Sequence, residues 1–348
     1  MGNIFGRFGK FEKELPNVDG KVFVITGTTS GTGYIAAETV AKHGGEVLLL
    51  NRASPRSVAS YEKLKKSVTN GIFVPIDCDL QDFQSVKEAC AKIKSLGYTN
   101  IYCLSNNAGI MAVDDTITKA DGYEVQMQTN HLSHFLLTSE LFPLLVEGSK
   151  KYGDARIVQH SSAARLSTEH NRLEEKYFTK KTRNGQLGGN ELIGFMKGGP
   201  WYRYHQTKLA NSVFNHALHD KLQASTNKDV RNIIATCAHP GGSTTNLADH
   251  LNAQSNFLVR NILLPVFFCV FFQSAQDGSM GLLRGMMDAK AKIQSGILYG
   301  PKLKLPNSQS MSGYAIPNPP TPCEIDAQSK EMLWNVSEKA IGQKFSIP

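Results

Sequence analysis

Residues 22–43 read VFVITGTTSGTGYIAAETVAKH. Val22–Thr26 is a short apolar run rich in β-branched residues, which predicts a strand, and Gly33–His43 carries a helical pattern. Between them lie Gly27, Thr29, Ser30, Gly31, Thr32 and Gly33. Glycines let a backbone turn tightly and approach a pyrophosphate, and a helix N-terminus offers free N–H groups and a partial positive charge. Strand, glycine loop and helix together predict the opening unit of a dinucleotide-binding sheet.

The same alternation continues downstream. Strands are predicted at Glu46–Asn51, Gly71–Asp77, Ile101–Ser105, Arg156–His160, Asn232–Ala238 and Gly296–Tyr299. Helices are predicted near Ser57–Ser67, Ser85–Leu96, Asn130–Val146 and Tyr202–Leu222. Strict alternation implies βαβ units, hence an α/β fold: one doubly wound Rossmann domain over 21–300, its parallel sheet of about seven strands covered by helices on both faces. Residues 1–20 read as an N-terminal arm, in which Phe5, Phe8 and Phe11 alternate with Arg7 and Lys10; either a membrane-touching arm or a tail packed on the domain fits. Residues 301–348 read as an extended tail ending in a short helix over Ala327–Ile341. Leu166–Trp201 is polar, Lys-rich and Gly-rich, and too long for an ordinary loop, so it is expected to be functional or disordered.

An NAD site usually has Asp or Glu at the end of the second strand, for the ribose 2′-OH. Here Asn51-Arg52 stands there, with Arg56 nearby. No carboxylate repels a 2′-phosphate, and a guanidinium can pair with one, so the expected cofactor is NADP(H). After the third strand, Asp79-Leu80 is placed to meet an adenine amino group; helix capping is the rival reading for Asp79 and the better one for Asp82.

The chain has 348 residues, with 41% hydrophobic and 20% charged, which excludes global disorder. Its net charge of +8 favours anionic partners: a phosphorylated cofactor or an anionic membrane surface. No basic block interleaved with aromatics marks a nucleic-acid track, so no nucleic-acid partner is expected. The six cysteines include no C-x-x-C pair and read as buried free thiols of an intracellular, reducing compartment, either the cytoplasm or the periphery of an endomembrane or organelle.

Tyr204 and Lys208 are four residues apart on a predicted helix and so share a face. A free phenol has a pKa of about 10, and a nearby cation lowers it. Tyr202 has Gln206 at the equivalent spacing and lacks that cation. His131 and His134 have no third ligand at zinc spacing, so no metal is expected. For His160 and His205, packing and substrate contact are both open.

With these residues placed, the chain resembles the short-chain dehydrogenase/reductase family from about Lys21 to Gly300. The carriers are the glycine segment, Asn106-Asn107-Ala108-Gly109, Asn130, the segment ending in Ser162, Tyr204 with Lys208, and Pro240-Gly241 with Thr245 downstream. Within the family it is most similar to retinol dehydrogenases, WW-domain oxidoreductases and protochlorophyllide reductases, through DGYE at 121–124, NHLSHFLLT at 130–138 and KLAN at 208–211. Two departures stand out: Thr32 where Ile is common, and far more chain between Ser162 and Tyr204 than is usual, so that 166–201 is an insertion.

The resemblance implies roles. Tyr204 would exchange a proton with the substrate oxygen, and Lys208 would lower the Tyr204 pKa and hold the nicotinamide ribose. Ser162 would hydrogen-bond the substrate oxygen, its neighbour Ser161 pointing the other way along a strand. Asn130 would hold a water linked to Lys208. Asn107, Ala108, Gly109, Pro240, Gly241 and Thr245 would line the cofactor. The variable substrate loop would be 246–275, which includes the apolar run Ile262–Phe272, about half the length needed to span a bilayer. A buried helix, a substrate wall and a membrane-docking element all fit that run, and all favour a small lipophilic substrate. The expected activity is therefore an NADP(H)-dependent oxidoreductase of a retinoid-, lipid- or steroid-like carbonyl or alcohol. A non-catalytic NADPH-binding scaffold and a pigment reductase are the alternatives, and monomer and homodimer are both open.

Overall fold

The computed structural model describes residues 7–194, 196–241, 273–301, 303–305, 308–309 and 312–348. Thr245, most of the variable loop and the apolar run Ile262–Phe272 lie outside the described residues.

An eight-stranded sheet runs in the order β12-β9-β8-β5-β4-β1-β2-β3. Its strands are β1 (Val22–Thr26), β2 (Glu46–Asn51), β3 (Phe73–Asp77), β4 (Cys103–Asn106), β5 (Ala155–His160), β8 (Ile233–Ala238), β9 (Leu298–Pro301) and β12 (Ala315–Asn318). All pairings are parallel except β12 on β9. Two short antiparallel pairs stand apart: β6 (Leu192–Gly194) with β7 (Lys197–Gly198), and β10 (Leu303–Leu305) with β11 (Ser308–Gln309). The eighth strand comes from the segment expected to be an extended tail. Its register runs Ala315 to Pro301 through Asn318 to Leu298, so this segment closes the sheet edge.

The helices are α1 (Phe8–Glu12), α2 (Gly31–Lys42), α3 (Pro55–Ser67), α4 (Phe83–Ser95), α5 (Val125–Met127), α6 (Ser133–Tyr152), α7 (Gly199–Ala224), α8 (Lys228–Arg231), α9 (Ala275–Met287), α10 (Pro322–Ile325) and α11 (Ala327–Ile341). Strand alternation divides the core. In β1, Val22 and Val24 join a cluster with Leu104, Phe135, Phe214 and Trp334, while Phe23 and Ile25 join the opposite cluster with Val40, Leu49, Met280 and Leu283. Burial on both faces explains why β1 reads as an unbroken apolar run. The described part of the N-terminal arm packs, Phe5 lying outside the described residues: Phe8 and Phe11 are buried in the second cluster, and the Arg7 and Phe8 amides donate to Asp277 at 2.9 Å. Among the described residues no helix is long and apolar enough to cross a membrane.

The order matters for the site. β1 lies between β2 and β4, so the chain leaves β1 in opposite directions and opens a crevice at the strand ends. The glycine loop after β1 and Asn107 after β4 meet there.

Candidate active site

The glycine loop is braced by side chains of its own neighbours. Asn51 Oδ1 accepts from the Thr28 amide at 2.8 Å, and Asn51 Nδ2 donates to Thr28 Oγ1 at 2.7 Å. Asn51 therefore shapes the loop while also lining the cleft. Asn107 Nδ2 donates to the Thr26 carbonyl at 2.9 Å, and Thr32 Oγ1 donates to Asn107 Oδ1 at 3.0 Å. Thr32, where the family commonly has Ile, thus ties the first turn of α2 to the loop after β4. A Cβ on Gly33 would fall 2.3 Å from both the Gly27 carbonyl oxygen and Asn107 Nδ2, so only glycine lets helix and loop meet.

Ser30 is the N-cap of α2, but its side chain makes no cap hydrogen bond; its hydroxyl instead accepts from Arg56 Nη2 at 2.6 Å. The orphan N–H groups of the first turn are thus left to face the cleft, which suits a phosphate. Arg52 is exposed at the cleft rim beside Arg56. Asp79 lines the cleft, one of its carboxylate oxygens accepting from the Gln81 amide at 2.9 Å, while Asp82 caps α4 through the Gln84 amide at 2.8 Å. The cleft has a volume of about 450 Å³, with Leu80, Ala108 and Pro240 among its lining. Gly241 follows with φ +65° and donates its amide to His239 Nδ1 at 3.1 Å.

At the other end of the cleft stand Ser162, Tyr204 and Lys208. α7 places Lys208 Nζ 5.6 Å from the centre of the Tyr204 ring and within 3.1 Å of the His160 carbonyl, to which it donates. Ser162 stands beside Tyr204 in the cleft lining, its hydroxyl accepting from the Ala164 amide at 3.2 Å. Ser161, one residue past the end of β5, donates its hydroxyl to the Lys208 carbonyl at 2.7 Å. Burial is the largest influence on both titrating groups. It pushes the Tyr204 phenol up to about 12, against the opposing influence of Ser162, and brings the Lys208 ammonium down to about 8. Burial thus raises the phenol, where the sequence reading expects the neighbouring cation to lower it.

Asn130 lies in a π-helical turn, Gln128–Leu132, between α5 and α6, rather than opening a regular helix. Such turns are rare and recur at functional sites. Its side chain is locked: Oδ1 accepts from the Ile110 amide at 2.8 Å, and Nδ2 donates to the Ile110 carbonyl at 2.9 Å and to Thr207 Oγ1 at 3.0 Å. Gly109 faces both Asn130 and the lysine. A Cβ there would stand 3.1 Å from Asn130 Oδ1 and 3.4 Å from Lys208 Nζ, so glycine keeps the space before the ammonium clear.

Two histidines matter more than the sequence indicated. His134 Nδ1 lies 3.0 Å from the Asn130 carbonyl, and Nε2 lies 2.9 Å from Thr26 Oγ1. A carbonyl only accepts, so Nδ1 carries the proton, Nε2 accepts, and the Thr26 hydroxyl donates to it. Thr26 Oγ1 in turn accepts from the amides of Asn107 and Ala108, each at 3.0 Å. His134 thus links the Asn130 backbone to the cofactor loop, and burial holds it neutral, at about 4. His160 lines the cleft and donates Nδ1–H to Asn107 Oδ1 at 2.8 Å. His131 instead packs against Phe178 and Phe214 and contacts Ser337 Oγ at 2.9 Å. No cluster of metal-ligating side chains occurs among the described residues. His205 is buried against Trp201 and Tyr202.

Above Tyr204 the surroundings are apolar. Trp201 meets its ring edge-on at 6.0 Å, and Ala164, Met111, Ala112 and Met196 complete the cluster. Met196 belongs to the insertion, which is held in place by Arg203. This wholly buried guanidinium donates to the carbonyls of Leu187, Gly189 and Val113 and lies against Asp115 and Glu124. Sequence spacing gave no sign of this network.

A parallel sheet with a glycine turn at its switch point, and a Ser–Tyr–Lys set at the far end of the same cleft, define a nucleotide-dependent oxidoreductase. Comparison with known proteins makes the assignment specific: the chain belongs to the short-chain dehydrogenase/reductase family, whose members act on CH–OH and C=O groups with a nicotinamide cofactor. Residues 21–174 match the short chain dehydrogenase family model. The chain is 31% identical to the short-chain dehydrogenase/reductase drtF of Aspergillus calidoustus over 84% of this chain and 89% of that one. It is 25% identical to retinol dehydrogenase 13 of Homo sapiens over 93% of this chain and 86% of that one. A crystal structure of a protein from Mycobacterium Paratuberculosis superposes with a TM-score of 0.70 at 27% identity, covering 97% of this chain and 98% of the other.

Proposed function

We propose that the protein is an NADP(H)-dependent oxidoreductase that reduces a lipophilic aldehyde or ketone. The observation that carries this reading is the Ser162–Tyr204–Lys208 set, placed between the glycine-cleared space at Gly109 and an apolar wall. Bound nicotinamide supplies the hydride. Ser162 orients the substrate oxygen and the phenol together. Tyr204, at about 12, is protonated at neutral pH and donates that proton to the oxygen as negative charge develops on it. Lys208 is charged below about pH 8 and stabilises the phenolate left behind.

The test is direct. Titration with NADPH and NADH should show tighter binding of NADPH, and a panel of lipophilic aldehydes and ketones should consume it. NADPH binding with no consumption by any carbonyl would turn the reading toward a scaffold.

Arg52 carries the preference for the phosphorylated cofactor. Replacing Arg52 by Asp removes a charge-assisted pair and adds repulsion, so NADPH affinity should fall about 10–100-fold while NADH affinity holds or improves. Equal losses for both cofactors, measured by fluorescence titration, would place Arg52 in the loop scaffold only.

The Lys208 shift fixes a pH dependence. Its pKa is lowered from the usual lysine value to about 8, so the charged form is present below pH 8 and is lost above it. The reductive kcat/KM should be level from about pH 6 to 7.5 and then fall about tenfold per unit. A level profile reaching well into the alkaline range would separate Lys208 from the proton transfer.

A further inference from the structure

Among the described residues three non-glycine residues have φ in the left-handed region: Ala112 at 49°, Asn171 at 49° and Met196 at 55°. Asparagine adopts this conformation readily; alanine and methionine adopt it only under strain. Ala112 and Met196 come from opposite sides of the site, the loop after β4 and the turn between β6 and β7. Both pack into the cluster containing Tyr204 and Trp201. Gln126 clamps the two sides, accepting from the Ala112 amide at 2.9 Å and donating to the Pro200 carbonyl at 3.1 Å. Arg203 does the same one step out, from Val113 to Leu187 and Gly189. Glycine would relieve the backbone at either position, so the strain is maintained for the sake of the side chains. Residues held in such conformations gather where a ligand is gripped.

We propose that Met196 is the specificity-determining residue of this enzyme and that its side chain, packed on the cluster of Ala164, Trp201 and Tyr204, limits the width left for the acyl or alkyl part of the substrate beside Tyr204. This rests on the carbonyl-reductase reading above. The substrate it fits is a carbonyl on an unbranched apolar chain, lying between Met196 and Trp201 with its oxygen at Ser162 and Tyr204. A thioether suits this place, because its three rotatable bonds and polarisable sulfur adapt to a flexible chain. A branched or ring-bearing carbon next to the carbonyl collides with Met196 first.

The experiment compares the wild type with Met196→Gly, which removes the side chain and the strain together, and Met196→Ala, which removes the side chain and keeps the strain. Two readouts are taken: the ratio of kcat/KM for cyclohexanecarbaldehyde to that for decanal, and binding of the two corresponding alcohols to the NADPH complex by quenching of tryptophan fluorescence. The chain holds 2 tryptophans, and Trp201 is the one beside the site. Both variants should raise the ring-to-chain ratio about tenfold or more, with the NADPH Kd unchanged. Turnover with that ratio unchanged within about twofold overturns the role of Met196. Binding whose ring-to-chain preference shifts in both variants, without turnover in any form, upholds the width limit and overturns the reductase reading. Binding with an unshifted preference, or no binding and no turnover, overturns the width limit.

Discussion

Tyr204→Phe should abolish carbonyl reduction while NADPH binds as before. Phenylalanine keeps the ring that packs on Trp201, Ala164 and Met196, so the apolar cluster and the fold are retained. Only the hydroxyl is lost, and with it the group that gives a proton to the substrate oxygen. A positioned general acid contributes about 10²–10⁴-fold, and that loss should appear in kcat. Cofactor affinity should hold, because on the proposed reading the phosphates meet the glycine loop, Arg52 and Arg56, which line the other end of the cleft from Tyr204. The loss should also erase the alkaline limb attributed to Lys208, since the ammonium acts through the phenolate that no longer forms. Residual activity near the wild-type level would remove Tyr204 from the chemistry. Lost NADPH binding would mean that the residue holds cofactor and does little else.

The parts of this site visible in the sequence are local ones. Gly27 through Gly33, Asn51-Arg52, Asn107 through Gly109 and the Tyr204–Lys208 spacing each declare their chemistry within a few residues. The sheet carries them to one cleft because strand ends at a switch point converge whatever the side chains are. Contacts made between distant segments stayed hidden. The buried Arg165–Glu324 pair, 2.7 Å apart, pins the start of the insertion to the tail, and Ser212 of α7 donates to the same carboxylate. Nothing in either segment alone signals that pairing. The eighth strand was hidden for a similar reason: Ala315–Asn318 is short and proline-bearing, and only its partner β9 makes it a strand. His134 was legible as a helix residue but not as a link to Thr26, because that contact depends on the π-helical turn that precedes it. The Tyr204 pKa went the other way from the sequence expectation because burial is a property of the fold and not of spacing.

Arg203→Met should produce the largest loss of stability. The guanidinium is 0% exposed and satisfies three carbonyls, so the variant strands those groups and leaves Asp115 and Glu124 buried without their cation. Removing one partner of a buried pair costs about 3–5 kcal/mol. With an unfolding entropy of about 2.1 cal/mol/K per residue, that is a fall in Tm of roughly 4–7 °C for a chain of this size. The pH dependence tests the cause. Burial already raises Glu124 to about 7, above the value of about 4.3 for an unfolded glutamate. A carboxyl raised on folding contributes stability that is fully present at low pH and lost as pH rises through the folded value. Without Arg203, which pulls it down, Glu124 rises further. The variant's deficit should therefore be greatest near pH 8 and shrink near pH 5.5, where Glu124 is protonated and needs no cation; Asp115, which also accepts from the amides of Leu187 and Gly189, retains those donors at either pH. Melting curves of both proteins at the two pH values read this out. A deficit that is the same at both would assign the loss to packing and to the three carbonyls, and not to the buried charge of Glu124.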